Sequence, residues 1–198
     1  MGIKYKRIFW CWMVGSVFLL ATSTAWAVSL EFVPAMQTVQ LGNPVMVDVV
    51  ISGLTAGGDP SVGTFDLDVT YDPGILTATG VTFGTELGAG VFSFQDFNLF
   101  VGLVDLAEIS FLGILSGQPA SFTLATLSFN TVGTGTSALT FSQSLVGDAL
   151  GFDLPHTSGT GSVTVENMPA VPEPGTILLF GTGLAGLAAW RVRKRQVR

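Results

Sequence analysis

The sequence predicts an all-β fold: an antiparallel β-sandwich of the jelly-roll type, flanked by an amino-terminal signal helix and a carboxyl-terminal membrane helix. Three observations carry this. Between Val28 and Ala170, short runs alternate apolar with polar residues. Gly, Pro and Asp turn signals separate the runs, and no long apolar period of 3.6 residues appears among them. The two ends, by contrast, are continuous apolar stretches next to basic residues.

Residues 1–27 combine a positive start (Lys4, Lys6, Arg7), an apolar core from Ile8 to Ala21 and the small-residue pattern Ala25-Trp26-Ala27. This is the pattern of a secretory signal peptide, and the mature chain is expected to begin near Val28. The single cysteine, Cys11, leaves with the signal, so neither a disulfide nor thiol chemistry is expected of the mature chain.

The sandwich is assigned to residues 28–166. Val45, Val47, Val49 and Ile51 alternate with Met46, Asp48 and Val50, and Phe65, Leu67, Val69 and Tyr71 alternate with Asp66, Asp68, Thr70 and Asp72. Each run is a strand with one buried face. Further strands are expected at Leu30 to Val33, Leu76 to Phe83, Val91 to Phe97, Leu103 to Leu112, Phe122 to Asn130, Ala138 to Phe141 and Ser162 to Val165. Turns such as Gly57-Gly58-Asp59-Pro60, Asp72-Pro73-Gly74 and Gly133-Thr134-Gly135 lie between them.

Residues 167–175 form a linker containing Pro172-Glu173-Pro174, and residues 176–198 form an apolar helix and a basic tail. The apolar run from Ile177 to Trp190 would span roughly 21 Å against a hydrocarbon core of about 30 Å, which suits a transient membrane tether better than a permanent one. Basic residues outside both apolar runs stay in the cytoplasm, so the segment between them is translocated.

Charge placement excludes whole classes of function. The chain of 198 residues has 8 Lys and Arg against 14 Asp and Glu, a net charge of −6. Every basic residue lies before Ile8 or after Trp190, while the carboxylates run from Glu31 to Glu173. A body without Lys or Arg cannot neutralise a phosphate backbone, so nucleic acid is excluded as a partner. The body also lacks Lys–carboxylate pairs, leaving burial, backbone pairing and a bound cation as sources of stability.

Val171-Pro172-Glu173-Pro174-Gly175-Thr176, the Leu- and Gly-rich helix after it and the basic terminus resemble the PEP-CTERM sorting tails. The resemblance implies recognition and processing by an exosortase in a Gram-negative bacterium that makes exopolysaccharide, with Pro172, Glu173 and Pro174 as the recognised motif. Gly181-Thr182-Gly183-Leu184-Ala185-Gly186 also fits the glycine pattern of dinucleotide sites. It lacks the preceding strand and the βαβ unit that such a site needs, so close helix packing is the better reading.

The body resembles the cohesins, β-sandwich modules that bind dockerin domains and are related to carbohydrate-binding modules. Gly42-Asn43-Pro44-Val45-Met46-Val47 is similar to the family's opening. Val62-Gly63-Thr64-Phe65-Asp66-Leu67-Asp68-Val69-Thr70-Tyr71-Asp72-Pro73 is similar to the strand ending in Tyr-Asp-Pro, and Gly161-Ser162-Val163-Thr164-Val165 to the closing strand. The resemblance implies that the outward face of the central strand contacts a partner through Thr64, Asp66 and Asp68. Asp66 matches the contacting Asp, and Thr64 stands where Asn is common.

The chemistry of the remaining residues is sparse. The single histidine, His156, reads as a solvated loop residue, and no Ser lies in a nucleophile-elbow pattern. Asp66 and Asp68 share a strand face about 6 to 7 Å apart, a spacing automatic for residues i and i+2 and no evidence of glycoside hydrolysis. Asp59, Asp66, Asp68 and Asp72, with Asp148 and Asp153 later, are candidate oxygen ligands for calcium. All four Trp lie in the end segments, so the body has no Trp platform for sugars.

The sequence therefore predicts a secreted, non-enzymatic protein of the cell surface or exopolysaccharide matrix with an adhesion domain. Its expected partners are an exosortase and either a dockerin-like protein or the exopolysaccharide itself. A carbohydrate-binding matrix protein is the alternative.

Overall fold

A computed structural model describes residues 28–167 and 175–195. The first of these segments forms eleven strands: β1 (Val28–Val33), β2 (Met36–Gln40), β3 (Pro44–Ser52), β4 (Val62–Thr70), β5 (Leu76–Phe83), β6 (Ser93–Phe100), β7 (Leu103–Ser110), β8 (Ser121–Thr131), β9 (Gly135–Asp148), β10 (His156–Ser158) and β11 (Gly161–Glu166). They make a five-stranded sheet in the order β10-β1-β3-β8-β5 and a six-stranded sheet in the order β2-β11-β9-β4-β7-β6.

The period-two pattern decides which face of each strand is buried. Val45, Val47, Val49 and Ile51 of β3 and Phe65, Leu67 and Val69 of β4 are almost wholly removed from solvent, and their alternating neighbours are not. In β8 the buried series shifts phase at Leu124 and Ala125, where the pairing with β3 slips by one residue between Val49 and Val50. The sheets meet through stacked rings of Phe32 and Phe141, 4.4 Å apart, and an edge-on contact of Tyr71 with Phe129 at 5.3 Å. The Tyr71 hydroxyl donates to the Phe100 carbonyl at 2.9 Å. Among the described residues, every member of the hydrophobic core cluster lies between Val28 and Val165, so this segment packs a core of its own.

Several expectations are corrected. The sandwich is not purely antiparallel: β1 pairs with β10, and β2 with β11, in parallel. The cause is a split amino-terminal segment, whose first part joins one sheet beside β3 and whose second part crosses to the other sheet, where the last strand closes it. Two strands were not expected at all. β2 is MQTVQ, mostly polar and half exposed, and β10 is three residues long and contains His156. β9 runs from Gly135 to Asp148, far beyond Ala138 to Phe141, because the bulge opposite Asp68 and Val69 interrupts its alternation. Gly90–Phe92 is a 3-10 turn, with β6 starting only at Ser93, and β7 ends at Ser110.

The helix α1 (Thr176–Arg195) forms over the expected apolar run. Its last five residues include Arg191, Arg193, Lys194 and Arg195, and among the described residues no helix is long and apolar enough to cross a membrane. The signal peptide of residues 1–27 and the motif Pro172-Glu173-Pro174 lie outside the described residues.

Buried polar groups are joined mainly by uncharged partners. Gln118, 5% exposed, acts as a surrogate strand: its Oε1 accepts from Val62 N at 2.7 Å, and its Nε2 donates to Val62 O at 2.8 Å and to Glu86 O at 3.2 Å. Glu108 points into the sandwich from β7 and is 2% exposed. Burial raises its carboxyl above the ordinary glutamate value. The Gln95 amide, donating at 2.8 Å, opposes that shift, as does Ser93 Oγ, which faces the carboxylate without reaching hydrogen-bond geometry.

Two outcomes follow for stability. Gln118→Ala orphans the Val62 N–H and two carbonyls and should cost about 2 to 4 kcal/mol, read from the urea midpoint at unchanged slope. Because Glu108 is raised in the folded state above its value of 4.5, its protonated form favours the fold. That contribution is complete below about pH 4.5 and is lost as pH rises through the raised value. Glu108→Gln should therefore match the parent in stability near pH 4 and exceed it near pH 7, in paired urea titrations.

Candidate partner-binding face

The central position of β4 in the six-stranded sheet builds the site. Its inward residues Phe65, Leu67 and Val69 fix the register, so Thr64, Asp66, Asp68 and Thr70 must face out. Cross-strand pairing then assembles three rows on the outer face. Gln143, Asp68, Asp105 and Asn98 form the first, and Leu145, Asp66, Ala107 and Asp96 the second. Gly147, Thr64, Ile109 and Phe94 form the third. A side chain at Gly147 would place its Cβ 2.6 Å from Thr64 Cγ2, so glycine there is what lets Thr64 sit flat on the sheet.

The face is both acidic and apolar. Leu145, beside Asp66, is 55% exposed, and Ile109 and Phe94 in the next row are 46% and 60% exposed. Partial burial raises the Asp68 carboxyl above the usual aspartate value, and the negative charges of Asp105 across the strand and of Asp66 add to the effect. The Asn98 amide donates to Asp105 Oδ2 at 3.3 Å. The Thr64 hydroxyl donates to the Glu108 carbonyl at 3.0 Å, so it holds β4 to β7 and offers a partner mainly its methyl group.

The residues expected to contact a partner, Thr64, Asp66 and Asp68, thus lie together on one face. Of the four residues expected to ligate calcium, only Asp66 and Asp68 lie on that face. Asp59 is in the loop before β4 and Asp72 is beyond its far end, separated by nine strand residues or roughly 30 Å. Asp72 Oδ1 accepts from Gly74 N at 2.8 Å, and Asp148 Oδ1 from Leu150 N and Phe152 N, so both serve turns. Among the described residues no three His, Cys, Asp or Glu side chains converge as metal ligands.

Asp96, Asp105, Phe94, Ile109 and Leu145 were not expected at the site. The alternation of β7 already assigns Asp105 and Ile109 to one face, but their proximity to Asp66 and Asp68 depends on strand order, which a single sequence does not encode. His156 proves to be a strand residue, not a solvated loop residue. Its Nδ1 lies 2.9 Å from Leu154 O and its Nε2 3.2 Å from Ser144 Oγ, so it faces a backbone carbonyl where a catalytic pair would place a carboxylate. Among the described residues, those lining the open cleft at Ser52, Leu54, Thr55, Pro60 and Ser121 include no titratable side chain.

Comparison with known proteins agrees with both parts of this chain. The model of the PEP-CTERM protein-sorting motif matches residues 170–194. No curated protein matches the chain in sequence. Among solved structures, a type I cohesin of Clostridium thermocellum solved in complex with a dockerin superposes with a TM-score of 0.59 at 12% identity, over 71% of this chain and 99% of that one. A non-cellulosomal cohesin of Archaeoglobus fulgidus gives 0.55 at 16%, over 71% and 91%. CaCohA2 of Clostridium acetobutylicum gives 0.56 at 25%, over 70% and 90%. The chain therefore carries a PEP-CTERM protein-sorting motif behind a β-sandwich with the fold of the cohesins.

Proposed function

We propose that this is an exported, exosortase-sorted and non-enzymatic protein of the Gram-negative cell surface or exopolysaccharide matrix, whose sandwich is a protein-interaction and adhesion domain. The partner docks on the face of β6, β7, β4 and β9, with Thr64, Asp66 and Asp68 among its contacts. One observation carries the reading: four carboxylates, Asp66, Asp68, Asp96 and Asp105, share this face with exposed Leu145, Ile109 and Phe94, in a body without Lys or Arg.

Asp68 and Asp105 stand directly opposite each other, an arrangement that costs the isolated sheet free energy. Lys or Arg side chains of a partner remove that cost, and the apolar side chains beside them supply the desolvated centre that a stable contact needs. The partner is thus a protein surface that interleaves basic and apolar residues. Support also comes from the fold, since a cohesin of the same architecture has been solved with a dockerin. The tail acts earlier: its helix holds the exported chain at the membrane while exosortase engages Pro172, Glu173 and Pro174.

The test immobilises residues 28–167 and offers them the source organism's secreted proteins and its purified exopolysaccharide. A secreted protein should be retained, released by salt, and bound about tenfold or more weakly by the Asp66→Asn/Asp68→Asn variant. Retention of polysaccharide alone, indifferent to that substitution, would overturn the reading in favour of a carbohydrate-binding matrix protein.

A further inference from the structure

The four sheet edges differ in how well they are guarded. β10 offers three residues, β2 five, and β5 carries a bulge between Ala78 and Gly80. Shortness and bulging are the usual means by which a protein keeps its edges from pairing with other chains. β6 has neither. It is eight residues long, pairs with β7 without a register shift, and its sequence SFQDFNLF contains no Lys, Arg or Pro. Phe94, Phe97, Leu99 and Phe100 are all exposed on it.

We propose that β6 pairs antiparallel with β6 of a second copy about a two-fold axis at Phe97, joining two six-stranded sheets into one. This goes beyond the docking of a partner on the sheet face, since it uses the edge.

Hydrogen-bond parity restricts the register. Phe111 N donates to Phe92 O at 2.7 Å, and in an antiparallel ladder such bonded pairs recur at every second residue. The even residues of β6 therefore direct their backbone groups to β7. Ser93, Gln95, Phe97 and Leu99 direct theirs to the open edge, and a partner strand must meet odd residues with odd residues. The fully overlapped register, which places Ser93 opposite Phe100, breaks that rule. Two symmetric registers obey it and pair seven of the eight residues, 93–99 centred on Asp96 or 94–100 centred on Phe97.

Side-chain chemistry chooses between them. Centring on Asp96 places its carboxylate directly against its own copy, and like charges so placed are destabilising. Centring on Phe97 places Asp96 opposite Asn98 of the second copy, twice by symmetry. It also sets Phe94 against Phe100, Gln95 against Leu99 and Phe97 against itself. The amide–carboxylate and aromatic pairs are favourable, and no two carboxylates of β6 are opposed. Both copies are anions, so added salt should strengthen the association.

The experiment is sedimentation equilibrium of residues 28–167, the segment that holds the core of the described residues, across protein and salt concentrations. A monomer–dimer equilibrium that tightens with salt is expected. Asn98→Asp sets two carboxylate pairs across the interface and should weaken dimerisation roughly tenfold. The swap Asp96→Asn/Asn98→Asp recreates the amide–carboxylate pairs and should return the constant to within about twofold of the parent. The swap keeps the same new carboxylate beside Asp105, so a loss arising within one copy would persist in it, whereas a loss at the interface is rescued. A monomer up to about 0.5 mM, a dimer indifferent to Asn98→Asp, or a loss that the swap does not rescue would each overturn the proposal. None of these results depends on Asp66 and Asp68, which decide the docking face separately.

Discussion

The alternation of β4 is the constraint on which the other features depend. Phe65, Leu67 and Val69 fill the space between the sheets, and a slip of one residue would carry all three to solvent and bring Asp66 and Asp68 into the core. The strand is also central, paired on one side with β7 and on the other with β9. Its register therefore sets which residues of both neighbours look outward. The acidic rows are a consequence of core packing: once the apolar residues are placed, the carboxylates have no other face to occupy.

Without basic residues, the body handles its polar groups by neutral means. The Gln118 amide completes the backbone of Val62, the Ser137 hydroxyl accepts from Asp72 N at 2.9 Å, and the Thr126 hydroxyl donates to Asp48 Oδ1 at 2.5 Å. Neutral partners of this kind satisfy a buried group at less desolvation cost than an ion pair would. They leave the surface charge uncompensated. Glu108 shows the limit of the strategy, since the Gln95 amide and the Ser93 hydroxyl together do not bring a carboxyl in that position back to its ordinary range.

This division explains what was legible in the sequence. The strands with clean alternation, β3 and β4, were readable together with their inward residues, and the turn function of Asp72 was readable from Asp-Pro-Gly. The outward placement of Thr64, Asp66 and Asp68 followed from the same period. What escaped depends on long-range pairing. β2 and β10 are strands because β11 and β1 present free edges to them, not because of their own residues. The spread of the four candidate calcium ligands has the same cause: Asp59 and Asp72 flank the strand in sequence, and an extended strand holds its two ends apart.

The exposed apolar residues of β6 make sense when edge and face are considered together. Inward-pointing Phe97 and Leu99 should be covered, yet β6 ends its sheet, and the opposite sheet reaches it only through contacts such as Phe83 with Phe97, whose ring centroids are 6.4 Å apart. An uncovered aromatic edge is a liability in a secreted protein unless it is guarded or used. The net negative charge guards it against indiscriminate aggregation, because every copy repels every other at a distance. Only a pairing that separates the carboxylates of the two strands while burying the rings can overcome that repulsion, so the same charge that keeps the protein dispersed selects the register at which two copies meet.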